Sequence, residues 1–524
     1  MAAAEWNDQP ATMAASNETG HLTDSDESAS PTLAESLRIE QKNDTSDPES
    51  LKPTTLPFKT FLHEAVFIIV ICAAQLLTQS GLSLSIVPLG SIAESFKTTP
   101  KDLTWASSAY SLTVGTFIFI SGRLGDVYGH KLMYVLGFSW FALWSLLAGF
   151  SIWVNPVYLD ICRAFQGIGP AFLLPNGVAI LGRTYPPGMR KQIAFCLFGA
   201  VAPGGFIVGG IFGSLLAQYL SWPWAYWIMA ITCVVFAALG VLIIPRKPQV
   251  MPRKELSTFA RLDILGAIPG MLGLILINFA WNQAALVGWQ EPYNYVLLII
   301  GLLSIVVFLW VESRAAYPLL PRSVFSGETG WVLGCIMCGW ASFGVVVFYY
   351  YSVMMNIEHE SGLLVTAKFA WAAASGGGAA ILTGFLLGRI PPSFIMMIAM
   401  VMFLIGQILL ATRPIGQVYW ANGFLIPLLM PIGMDMSFPS GIIMMSDAMP
   451  EEEQGAAASL VNTAVNYSIS MGLGFAGVVE LYVGNGDELR GYHAAEYMGI
   501  GLAGLGVLCA LCFIIKQQLS KSRV

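Results

Sequence analysis

The sequence predicts an all-α membrane protein that crosses the bilayer fourteen times, and three observations carry that prediction. Only 11% of the 524 residues are charged while 56% are hydrophobic, against about 25% charged in soluble globular chains. Apolar runs of about 20 residues, the length that crosses a bilayer, follow one another from Phe61 onward. The basic residues alternate with those runs. If the N-terminal tail is cytosolic, twenty of them fall in cytosolic segments and four (Lys97, Lys101, Arg413 and Arg490) in outer loops. That bias obeys the positive-inside rule and puts both termini in the cytosol. Missing a single span would scramble the alternation.

The same numbers exclude other classes. A soluble enzyme of this size needs a charged surface that the composition cannot supply, and 26 basic residues against 32 acidic ones do not make a nucleic-acid binder. Residues 1–50 carry a net charge of −9 and the remainder +3. Residues 1–60, rich in Ser, Thr, Asp, Glu and Pro without apolar period, read as a disordered acidic cytosolic tail. The start lacks a basic segment followed by an apolar stretch and a cleavage site, so no signal peptide is expected.

Six spans follow the tail, over 63–88, 104–121, 132–153, 157–181, 192–218 and 222–245, and form an N-terminal unit over 61–246. A cytosolic loop and two further spans, 264–284 and 294–312, occupy 247–328. Spans 330–354, 362–387, 393–411, 417–446, 455–482 and 494–516 form a C-terminal unit over 329–516, before a short cytosolic tail at 517–524. Between spans 5 and 6, Trp222-Pro-Trp224-Ala-Tyr226-Trp227 reads as an interfacial anchor.

Three segments stand out chemically. The loop between spans 2 and 3 reads Gly122-Arg-Leu-Gly-Asp-Val-Tyr-Gly-His-Lys131. Gly122, Gly125 and Gly129 permit a tight turn and close helix approach, and Asp126 with its flanking bases can latch neighbouring helix ends. In span 4, Arg163 lies inside the membrane, where a charge is costly unless paired, and Asp160 three residues earlier could pair with it. In span 12, Asp435 is the deepest carboxyl, able to take a proton there. A carboxyl hydrogen-bonded to a neighbouring helix is the equal alternative for Asp435, and a purely structural ion pair the alternative for Arg163.

These segments resemble the major facilitator superfamily. Gly122, Leu124, Gly125, Asp126, Gly129 and Lys131 match its loop signature, departing at Val127 and His130, where the family often has arginines. Leu159, Arg163, Gln166, Gly167 and Gly169 match its span-4 motif, in which the arginine is linked to proton coupling. Gly199-Ala-Val-Ala-Pro203-Gly-Gly loosely resembles the antiporter motif of span 5. Gly384-Phe-Leu-Leu-Gly-Arg389 falls where the loop signature would recur if two six-helix bundles are parallel repeats, leaving spans 7 and 8 as an inserted pair. That is the layout of the fourteen-span drug:proton antiporters, which the run Ser446–Asn462 also resembles. Gln75-Leu-Leu-Thr-Gln79 and Arg183-Thr-Tyr-Pro-Pro187 look most like the fungal aminotriazole- and boron-resistance exporters and the low-affinity ammonium facilitator.

The resemblance implies the major facilitator fold, two six-helix bundles plus two inserted helices. It also implies a proton-coupled exporter of small organic molecules at a fungal plasma membrane, or alternatively a vacuolar one. Arg163, Asp160 and Asp435 are the coupling candidates, with the loop glycines, Asp126 and Lys131 at the cytosolic gate. Gln75, Gln79, Asn176, Trp340, Asn462 and Asn466 are candidate cavity residues. Gln79 stands where many proton-coupled members carry an acid, and glutamine cannot titrate. An alternative is therefore a facilitator of a very small solute such as ammonium or borate, and a third is a transporter-like nutrient sensor signalling through the tail. Partners are the bilayer, a small molecule and protons, with no nucleic acid, and the chain is expected to act as a monomer. No Gly-x4-Gly-Lys-Ser/Thr loop and no nucleophile–base pair is present, so neither direct ATP drive nor an enzyme is expected. No cofactor or metal is expected either: Cys335/Cys338 and Cys509/Cys512 lie in apolar spans without a nearby histidine.

Overall fold

A computed structural model describes residues 58, 60–186, 189–245, 263–315, 318–319, 328–387, 389–447 and 454–521. The acidic tail over 1–57, residues 59, 187–188, 246–262, 316–317, 320–327, 388 and 448–453, and the last three residues lie outside that set. The described chain is helical throughout. In order it runs α1 (Phe61–Ile86), α2 (Leu89–Phe96), α3 (Trp105–Tyr128), α4 (His130–Phe150), α5 (Pro156–Thr184), α6 (Met189–Tyr219) and α7 (Pro223–Ile243). It continues through α8 (Ile264–Val287), α9 (Pro292–Glu312), α10 (Thr329–Ser352), α11 (Gly362–Phe369), α12 (Trp371–Leu386) and α13 (Pro392–Ala411). It ends with α14 (Asn422–Asp447), α15 (Gln454–Gly484) and α16 (Glu488–Lys521).

Local sequence accounts for where these helices begin and end. Thr60 caps α1, its hydroxyl accepting from the His63 N–H at 3.3 Å, and Asn155 caps α5 through the Tyr158 N–H at 2.7 Å. Proline opens α5, α7, α9 and α13, where its missing N–H would have had no partner. Gly129, at φ +102°, is the single residue that ends α3 and starts α4.

Among the described residues, thirteen helices are long and apolar enough to cross a membrane. The fourteenth expected span forms as α3 but falls short on apolarity, for a physical reason. Ser107, Ser108, Ser111, Thr113 and Thr116 are all buried in the protein rather than facing lipid. Small residues let the neighbours come close: a Cβ on Gly115 of α3 would lie 2.6 Å from the Tyr467 N of α15. The Thr113 hydroxyl is satisfied by the Ala109 carbonyl at 3.0 Å.

Helices α1 and α3–α7 pack on one another, as do α10 and α12–α16. The two sets meet along two seams, α3 against α15 and α6 against α11 and α12. Between them α8 lies on α9, α3 and α15, so the inserted pair attaches at one seam.

Candidate transport site

Arg163 sits about two turns into α5 and is fully buried. Its Nε donates to the Ala106 carbonyl at 2.7 Å, and its Nη2 to the Gly81 carbonyl at 2.8 Å and the Ser85 hydroxyl at 3.0 Å. Its Nη1 donates to Gln166 Oε1, whose amide nitrogen is held by Ser145 Oγ at 2.6 Å. The guanidinium stands 4.3 Å from the centre of the Tyr110 ring and 5.8 Å from that of Tyr226. One side chain thus joins α1, α3 and α5 through neutral acceptors. The expected Asp160–Arg163 pair does not form within 4 Å. The guanidinium points toward α1 and α3, where its donors are taken, and Asp160 stays half-buried near the helix start with Oδ1 unpartnered.

The Trp222–Trp227 run divides in the same way. Trp224 is exposed as an anchor would be, whereas Tyr226 is buried beside Arg163 and Trp222 donates to Ser95 Oγ at 2.9 Å.

Asp435 is buried in α14, and its Oδ2 has no hydrogen-bond partner. A Cβ on Gly376 of α12 would lie 2.5 Å from that oxygen and 2.6 Å from Pro203 Cγ of α6. The carboxyl therefore occupies the junction of α14, α12 and α6, on the second seam. On the same helix Ser437 accepts the Trp340 indole N–H at 3.1 Å, which ties Trp340 into the α10–α14 packing with 5% exposure. Gln75 and Gln79 on α1 are half-buried and make no hydrogen bond among the described residues, as side chains open to a solute would. Asn466 is half-buried, donating to the Asn462 carbonyl at 3.0 Å; Asn462 is buried.

Asn176 belongs elsewhere. It is fully buried; its Nδ2 donates to Phe172 O at 2.7 Å and Ser121 Oγ at 3.1 Å, and its Oδ1 meets His130 Nδ1 at 2.7 Å. It braces the loop motif instead of lining a cavity. His130, at a family departure, lies 3.3 Å from Asp126 through Nε2, and Asp126 accepts from Arg183 at 2.9 Å. The Asp126–His130 contact spans the Gly129 break between α3 and α4, which the helical i,i+4 rule does not cover. Lys131 turns away from Asp126 and donates to the Val241 carbonyl at 2.7 Å and to the Ile244 carbonyl, capping the end of α7.

The motif's glycines differ in consequence. A Cβ on Gly125 would overlap both Asn176 Oδ1 and His130 Nδ1, so Gly125→Ala should destabilise by about 1–3 kcal/mol. A Cβ on Gly122 meets only the Ser459 hydroxyl at 2.7 Å, which can rotate away. Thermal unfolding of the two variants in detergent checks this: the midpoint should fall clearly for Gly125→Ala and by less for Gly122→Ala.

At the opposite helix ends lies a pair that no sequence pattern flags. Arg413 Nη2 donates to Glu358 Oε2 at 2.9 Å and the Gly416 N–H to Oε1 at 2.7 Å, with both side chains largely buried. Burial pushes the Glu358 carboxyl up, but the Arg413 and Gly416 bonds and the charges of Arg413 and Lys368 outweigh it and hold it below the ordinary 4.5. A carboxyl depressed in the fold stabilises above its unfolded-state value, and that contribution is lost as pH falls through the folded-state value. Wild type should therefore unfold at a higher temperature than Glu358→Gln at about pH 7, the gap closing below about pH 4.5.

Helices of this length and apolarity make the chain a multi-pass membrane protein, with a fully buried arginine and a carboxyl set on its second seam. The chain belongs to the Major Facilitator Superfamily, whose family model matches residues 69–475. It is 53% identical to the "Low affinity ammonium transporter" of Saccharomyces cerevisiae over 92% of this chain and 96% of that protein. It is 46% identical to "Efflux pump terJ" of Aspergillus terreus over 87% of this chain and 88% of that one. The fold matches the crystal structure of a POT family transporter in complex with 5-aminolevulinic acid, with a TM-score of 0.62 at 13% identity, covering 88% of this chain and 98% of that one.

Proposed function

We propose that the protein exports small organic molecules in exchange for protons, its two six-helix units rocking about a midplane path. The observation that carries this reading is the unpartnered Asp435 carboxyl, wedged between α6, α12 and α14. A carboxylate is poorly tolerated there and a neutral acid well, so proton occupancy changes how tightly that seam closes. Gln75 and Gln79 offer amides to a polar solute. Arg163 organises α1, α3 and α5 around the path, and the Asp126–Arg183–His130 cluster with Lys131 latches the gate end. The 20:4 distribution of basic residues supports cytosolic termini and a gate on the cytosolic face. An exporter that clears a solute from the cell belongs in the plasma membrane, which is the location proposed. Both units lie in one chain, so a monomer completes the path.

A second reading is favoured by the 53% identity to an ammonium transporter and by the absence of an acid at Gln79. In that reading the chain moves a very small solute without a coupled proton. Export of candidate drugs and of methylammonium from cells expressing the protein, with and without a proton ionophore, separates the two. Organic-solute export that stops with the ionophore supports exchange for protons. Export that continues unchanged after the gradient collapses overturns it.

A further inference from the structure

Where α15 turns into α16, at the helix ends opposite the loop motif, the structure forms an open pocket of about 410 Å³. Arg490, His493 and Tyr497 line it from α16, Val483 from the end of α15 and Asp487 from the turn between them. Asp487 fixes the start of α16, its Oδ1 accepting the Arg490 N–H at 3.1 Å. Arg490 is exposed, and its guanidinium makes no hydrogen bond or ion pair among the described residues. His493 is held by a carboxyl behind it: Nδ1 lies 3.0 Å from Oε2 of Glu496, which is 1% exposed. That leaves Nε2 as the ring atom for a guest, a donor when the ring is charged. Tyr497 is exposed, its hydroxyl likewise without a partner among the described residues. With about 3.6 residues per turn, Arg490, His493, Tyr497, Gly501, Gly504 and Leu508 share one face of α16. A Cβ on Gly501 or Gly504 would meet nothing within 4 Å, so the face narrows between Tyr497 and the exposed Leu505 and Leu508.

Depth along α16 orders these groups. At about 1.5 Å per residue, His493 lies about 4.5 Å, Tyr497 about 10 Å and Gly501 about 16 Å further into the span than Arg490. A cation, then a hydroxyl donor, then a narrowed apolar face is the order of complementary groups that a phospholipid meets from headgroup to tail. Its phosphate takes charge-assisted bonds from Arg490 and His493. An ester carbonyl accepts from the Tyr497 hydroxyl at the depth where tyrosine sits in a bilayer. An acyl chain lies over Gly501 and Gly504. Asp487 beside Arg490 repels a headgroup of net negative charge and suits one whose own cationic nitrogen balances the phosphate. We propose that this pocket and the α16 face beneath it bind one zwitterionic phospholipid, its phosphate on Arg490 and His493 and a chain over Gly501 and Gly504. The site stands apart from Gln75, Gln79 and Asp435. The inference goes beyond the transport reading and is tested by counting bound lipid, so failure of proton-coupled export leaves it standing.

The test uses the purified full-length chain, stripped of lipid in detergent and titrated with phosphatidylcholine, with the tightest-held lipid counted by native mass spectrometry. Wild type should retain one phosphatidylcholine, and phosphatidylglycerol should need several times the concentration for the same occupancy. In Arg490→Gln, an exposed position where the fold should persist, half-occupancy should need about tenfold more phosphatidylcholine. Gly501→Leu fills the narrowed face without touching the headgroup groups and should raise the requirement several-fold, so it tests the chain half of the site separately. Glycerophosphocholine, the same headgroup without chains, should not displace the lipid at matched concentration. Equal retention of the two lipids, displacement by glycerophosphocholine, or unchanged phosphatidylcholine binding in either variant overturns the proposal.

Discussion

Replacing Arg163 by alanine is expected to cost about 3 kcal/mol or more of stability and about 100-fold in transport. The cause is not a broken ion pair. Removal strips the partner from the Gly81 and Ala106 carbonyls, the Ser85 hydroxyl and Gln166, all at a fully buried point between three helices. Each acceptor loses a charge-assisted bond at a point closed to water. Arg163→Lys keeps the charge yet should recover little of the function, since an ammonium cannot span acceptors on α1, α3 and α5 as a planar fork does. Asp160→Asn should change stability far less, because Asp160 is not the arginine's partner. Thermal unfolding and export for the three variants measure this ordering. A full rescue by lysine, or an Asp160→Asn loss as large as that of Arg163→Ala, would refute the assignment.

Asp435→Asn is expected to abolish accumulative export while sparing downhill exchange. Asparagine matches the carboxyl in size and fits the same space against Gly376 and Pro203, so the seam should still assemble. What disappears is titration. In vesicles loaded with substrate, exchange across equal concentrations should continue near the wild-type rate, whereas a proton gradient should no longer drive substrate uphill. Loss of both activities would assign Asp435 a purely structural part.

How much of this was legible in the sequence depended on whether the signal was local. Arg163 and Asp435 could be found by rarity alone, because charges inside apolar runs are few. The spans were readable from apolar length and from the basic loops, and even the polar α3 was caught by its place between charged loops. Partners were harder. The Gly81 carbonyl lies 82 residues from Arg163, and backbone acceptors carry no residue-type signature, so the nearest acid looked like the natural mate. Asn176 failed similarly: a lone asparagine in a span reads equally as cavity or as interhelical glue, and only the fold brings His130 beside it. Arg413 with Glu358, 55 residues apart, and Tyr349 with Glu480, 131 apart, needed tertiary structure outright.

We assign the coupled proton to Asp435. The most direct measurement reconstitutes the purified chain into liposomes holding a pH-sensitive dye and follows internal pH when an exported substrate is added. Wild type should move protons only with substrate present, and Asp435→Asn should move substrate with no accompanying pH change. Substrate-driven proton movement in Asp435→Asn equal to wild type would rule out Asp435 as the proton carrier.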